Sequence, residues 1–111
     1  MSAESAAGHQ PNWVPLDFRK AVVVPGPTPG SLMLTVSGDK PRDAQGGSTV
    51  KLQPLTYEAQ PEYWKIEVLW DTANAIFPVV TPFTVSVSLD GIRGAKGVEV
   101  VGQTRKQKLS I

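Results

Sequence analysis

The segment EYWKIEVLWD puts Trp64, Ile66, Val68 and Trp70 at every second position, with Tyr63, Lys65, Glu67 and Leu69 between them. Around a helix, Trp64 and Ile66 would stand about 200° apart, on opposite sides. In a strand they share a face, so the segment can bury its bulk only within a sheet that has one side covered. A covered sheet needs a second layer, and that requirement narrows the fold to strands packed on something else.

The same period of two recurs along the chain. In SLMLTVSGDKP, Leu32, Leu34 and Val36 face one way and Ser31, Met33, Thr35 and Ser37 the other. Val50 and Leu52 resume it in TVKLQPLTY, and FTVSVSLD sets Phe83, Val85, Val87 and Leu89 against Thr84, Ser86, Ser88 and Asp90. A first strand is predicted from Leu16 to Val24, stopped by Pro25, and GVEVVGQTRKQKLSI is one strand bent at Gly102 or two short ones. Ten glycines and ten prolines in 111 residues punctuate these runs, which suits short strands and turns and leaves no stretch with helical spacing. PGPTPG reads as an extended connector, GDKPRDAQGGS as a polar loop and Asp90-Gly91 as a tight turn. Six to eight strands at this length predict a single-domain, all-β, antiparallel β-sandwich of immunoglobulin-like or jelly-roll-like kind, with a closed β-barrel as the alternative. Residues 1–12 are predicted to form a flexible N-terminal arm and residues 13–111 the domain.

Catalytic chemistry finds few footholds. With no cysteine in the chain, disulfides, thiolate metal sites and cysteine nucleophiles are excluded. The single histidine, His9, lies in the arm, where nothing holds a base or a metal ligand in place. Asp39 and Asp43 share a glycine-containing loop that could offer oxygen ligands to calcium, but their spacing matches no calcium-loop pattern and Lys40 and Arg42 stand among them. No catalytic residue, cofactor or metal site is therefore predicted, and the chain is expected not to be an enzyme. A net charge of +1 provides no field for nucleic acid, and the basic tail TRKQKLSI lacks aromatics to stack on bases. The start lacks the basic and apolar regions of a secretion signal and no apolar run approaches a membrane span, so a soluble, cytoplasmic protein without a membrane partner is expected. Acidic Glu58, Glu62, Glu67 and Asp71 in the middle contrast with Arg93, Lys96, Arg105, Lys106 and Lys108 near the end, which is expected either because strands from the two regions lie near one another or because both are solvated faces.

One stretch resists the bland account. AIFPVVTPF, from Ala75 to Phe83, is apolar and uncharged, yet Pro78 and Pro82 lack the amide a central strand requires. Ala75 to Thr81 is predicted to be a loop or edge crossing that either caps the core or meets a partner. The function expected from this is a non-enzymatic binding or assembly module acting through protein-protein contacts, with another protein or with itself as a homodimer. Its contacts are predicted at Ile76, Phe77, Val79 and Val80, with Leu69 and Tyr63 as secondary candidates. The alternative is a carbohydrate or small-ligand binding module, with Trp13, Tyr57 and Tyr63 as an aromatic platform beside hydroxyl-rich strand faces.

Overall fold

Eight strands organise the described chain in the computed structural model, which covers residues 12–43, 50–72 and 75–111, with side chains described for all of these except 42–43 and 75–79. They are β1 (Trp13–Pro15), β2 (Lys20–Pro25), β3 (Leu32–Asp43), β4 (Val50–Pro54), β5 (Tyr63–Asp71), β6 (Ala75–Ser88), β7 (Gly97–Val101) and β8 (Lys106–Ser110). Trp70 of β5 pairs with Val14 of β1 and with Val50 of β4, while Ile66 pairs with Pro54 of β4 and Val100 of β7. A strand has two edges, so β4 occupies one edge of β5, and β1 and β7 share the other, one beyond the other. β8 follows β7 to complete this sheet, and β2, β3 and β6 make the second, with β3 in the middle. Every pairing is antiparallel except β5 with β7. The fold is all-β, two sheets packed as a sandwich, and neither closes into the alternative barrel.

The predicted inward faces meet between the layers. Ile66, Val68 and Trp70 of β5, with Val98 and Val100 of β7, are buried in one core with Leu34 and Val36 of β3 and Phe83 of β6. Burying each such aliphatic side chain contributes about 1.5–3 kcal/mol relative to leaving it exposed. Along the β2/β8 side the layers are also tied by polar groups. Gln107 Nε2 donates to the Ala21 carbonyl at 3.4 Å, and the Arg105 guanidinium donates to the Phe18 carbonyl at 3.1 Å while lying over the Phe18 ring. Strands from the acidic middle and the basic end do lie side by side, because β5 pairs with β7, and Lys96 Nζ stands 3.4 Å from the Glu62 carboxylate beside that pairing.

Three local expectations are corrected. The predicted strand from Leu16 to Val24 is strand only from Lys20, where β2 begins, and its first residues are the link from β1 in one sheet to β2 in the other. The Leu16 amide still bonds Val68 of the first sheet at 2.9 Å, and the Arg19 amide already bonds Ser37 of the second, also at 2.9 Å, so residues 16–19 carry the chain across. The polar loop GDKPRDAQGGS begins as strand, since β3 continues to Asp43, and residues 44–49 lie outside the described residues. AIFPVVTPF is neither loop nor crossing but the first part of the fourteen-residue strand β6.

Hydrogen-bond parity explains how the prolines fit. The Leu89 amide donates to Leu32 at 3.0 Å, and the register pairs Val87 with Leu34, Val85 with Val36 and Phe83 with Gly38. Antiparallel ladders alternate, so odd residues of β6 point their backbone groups at β3 and even residues point theirs outward. Pro82 is even and Pro41 of β3 sits opposite Val80, so the nitrogens of these prolines face away from the ladder and cost it no bond. A register shift between Pro41 and Arg42 then skips ahead to Ile76 and absorbs the segment that contains Pro78.

Asp17, in the sheet-crossing segment, secures the β7–β8 turn. Its carboxylate accepts from the Thr104 hydroxyl at 2.6 Å and from the Thr104 and Arg105 amides at 2.8 and 3.0 Å. These bonds, that from the Thr104 side chain foremost, hold the carboxyl below the usual carboxylate range. A depressed folded value means the stabilisation is present above the unfolded pKa and is lost as pH falls through the folded one. Asp17→Asn is therefore expected to lower stability by roughly 1–2 kcal/mol at neutral pH, the carboxylate being partly solvated. The difference from the parent protein should shrink as the pH is taken below the usual carboxylate range. Urea titrations at neutral and acid pH measure this, and a gap that stays constant would contradict it.

Candidate functional site

The border strands reveal the first candidate. Natural sheet edges are protected from pairing with other chains by shortness, by charge or by proline. β1 is three residues long, and the longer borders β2, β4 and β8 carry Lys20, Lys51, and Lys106 with Lys108. β6 is the longest border strand and holds no charged residue from Ala75 to Ser88. Among the described residues it pairs only with β3, on one side. By the parity above, Val80, Thr84, Ser86 and Ser88 present outward amides and Pro82 only a carbonyl. Val80 is 64% exposed, while Val85 and Val87 are half-buried at the seam between the layers.

The predicted contact residues are thus distributed over two surfaces. Ile76, Phe77 and Val79 belong to the backbone of β6, and their side chains lie outside the described ones; Val80 is on the exposed face of the same strand. Leu69 and Tyr63 stand instead on the outer face of the five-stranded sheet, where Leu69 is flanked by Pro15 and Lys51. They do not join the β6 edge.

The predicted aromatic platform is also divided. Trp13 lies on the same outer face as Tyr63, each under a lysine: Lys51 Nζ is 4.2 Å from the Trp13 ring centre and Lys108 Nζ is 5.0 Å from that of Tyr63. Tyr57 lies elsewhere, in a cleft of about 440 Å³ lined by Glu58, Gln60, Trp64, Asp90 and Arg93. The cleft opens between the β4–β5 and β6–β7 connections. Tyr57 and Trp64 meet there edge to face, with ring centres 5.0 Å apart and planes at 76°. Trp64 belongs to the inward row of β5 at the end where the core runs out, so periodicity marks it as core and cannot show that it borders an opening. Asp90 and Arg93 are signalled only as turn residues.

The polar candidates in the β3 region do not assemble. Asp39 is engaged by the Arg19 guanidinium, and the side chain of Asp43 lies outside the described ones. SGDK, Ser37 to Lys40, has Ser-x-x-Lys spacing, which serves catalysis where a helix brings the two side chains together. On β3 they point to opposite faces, and Lys40 is buried with Nζ donating to the Pro41 carbonyl at 3.4 Å. Among the described residues no helix is long and apolar enough to cross a membrane.

Comparison with protein-family models, with curated proteins and with solved structures finds no match to this chain.

Proposed function

We propose that the protein is a non-enzymatic assembly module whose contact element is the outward edge of β6, and that the partner it takes is a second copy of itself. The observation that carries this is the uncharged border of β6, which among the described residues pairs with no strand on that side, while the other border strands of five or six residues each hold lysine. Two β6 strands can pair antiparallel about a two-fold axis at Ser86, setting Thr84 of each opposite Ser88 of the other. That register uses outward amides and carbonyls at 84, 86 and 88 and stops short of Pro82, which would end the ladder in either direction. The side chains flanking it are hydroxyls on one face and Val85 and Val87 on the other, so the contact requires no charge to be desolvated and covers two half-buried valines.

Light scattering or sedimentation across micromolar to millimolar protein tests this. Mass is expected to rise from monomer to dimer and to plateau there, because a two-fold contact closes on itself. A monomer throughout would overturn self-assembly.

A further inference from the structure

We propose that the cleft between the β4–β5 and β6–β7 connections is a binding site for a neutral oligosaccharide, a role independent of assembly through β6.

Its walls are fixed in advance. Gln60 Nε2 donates to the Arg93 carbonyl at 2.8 Å, the Ala95 amide to Pro61 at 2.8 Å and the Lys96 amide to Glu62 at 2.7 Å, so the two connections are sewn to each other. Lys96 adds an ion pair with Glu62 at 3.4 Å, and an Arg93 guanidinium nitrogen reaches the Gly30 carbonyl at 3.3 Å. A site held in this way loses little conformational entropy when a ligand enters.

The groups left over suit a sugar. Trp64 Nε1 is spent on the Leu55 carbonyl at 2.9 Å, so Trp64 and Tyr57 offer the cleft mainly apolar ring surface, against which the C–H face of a pyranose can lie. The Glu58 and Asp90 carboxylates accept from ligand hydroxyls, and Arg93 retains guanidinium N–H groups that can donate to them. Two carboxylates against one guanidinium leave a net charge of −1, which repels an anion, whereas a neutral polyol can use all three groups as acceptors and donors. At about 440 Å³ the cleft falls within the roughly 300–1,000 Å³ of small-ligand sites. Gly91 stands at its rim, and a Cβ built there would meet nothing within 4 Å. The exit is open there, which leaves room for the remaining units of a chain to pass Gly91.

The test is a titration of the full protein with neutral hexasaccharides of β-1,4-glucan, β-1,4-xylan, α-1,4-glucan and β-1,3-glucan type, followed by two-dimensional amide and indole NMR. The expected result is that at least one saturates in the micromolar to millimolar range, moving the Trp64 indole and Gly91 amide signals and leaving that of Trp13 in place. Asp90→Ala should weaken that binding at least tenfold without loss of the folded spectrum, and Tyr57→Ala should do the same. Four outcomes would overturn the proposal. They are no shift with any glycan at millimolar concentration, shifts centred on Trp13 and Tyr63, affinity unchanged in both variants, or saturation by tetramethylammonium in place of every sugar.

Discussion

Proline at position 86 is expected to leave the protein folded and strip it of its dimer, whereas proline one residue earlier, at Val85, is expected to destabilise the fold severely. The contrast follows from parity alone. Ser86 directs its backbone groups outward, as Pro82 already does, so Ser86→Pro removes no bond to β3 and costs mainly the 2.9 Å hydroxyl contact with Thr35, about 1 kcal/mol. It nevertheless deletes the amide at the two-fold centre, which each copy contributes. Val85 lies opposite Val36 with its amide directed at β3. Val85→Pro leaves a carbonyl unmet beside the buried Val36 and removes a half-buried side chain, together about 3 kcal/mol or more. At roughly 4 °C per kcal/mol, the melting temperature should fall by roughly 10 °C or more in that variant. Thermal denaturation and light scattering on the pair decide the matter. If Ser86→Pro remains dimeric and folded, the β6 edge is not the contact.

Gly97→Ala is expected to be at least as damaging, for a different reason. Gly97 opens β7 with φ near 154°, and a Cβ built there would stand 1.9 Å from the Leu109 carbonyl oxygen and 3.1 Å from the Ser110 Cα. These are backbone atoms of β8, so no side chain can turn aside, and the strands must separate where they should pair. A loss of about 3 kcal/mol or more is expected, with the amides of β8 the first to lose protection in hydrogen exchange. Gly91→Ala is the control, since φ is 77° there but nothing crowds the added methyl, and it should cost about 1 kcal/mol. A Gly97→Ala protein within 1 kcal/mol of the parent would show that β7 and β8 have slack that this packing does not provide.

Much of the architecture was legible because burial and alternation are the same physical fact. Ile66, Val68 and Trp70 had to share a face, and that face is the core. What period two cannot express is a change of sheet. From Leu16 to Val24 the apolar residues run on while the backbone changes partners, from Val68 at the Leu16 amide to Ser37 at the Arg19 amide. The prolines of β6 misled for a related reason. A proline forbids one ladder bond, and whether that bond would have been made depends on which edge is occupied, a property of topology. The site residues were least legible of all. Tyr57 and Tyr63 have the same chemistry, yet Tyr57 borders the cleft and Tyr63 lies beneath Lys108 on a sheet face. Asp90 and Arg93 reach Tyr57 only because the two connections close on each other.

The way β5 is shared has a kinetic consequence. Asn12 joins Asp71 across 59 positions, and Asp17 joins Thr104 across 87, so the start of the five-stranded sheet cannot be secured by local pairing, and the β7–β8 hairpin, local in itself, must still find β5. Closing such loops before any reward is gained places the domain among slow folders, in the range of milliseconds to seconds. On a ribosome the uncharged β6 emerges while β7 and β8 are still unmade. For that interval the strand suited to joining two finished molecules is also the one most prone to capture an unfinished neighbour.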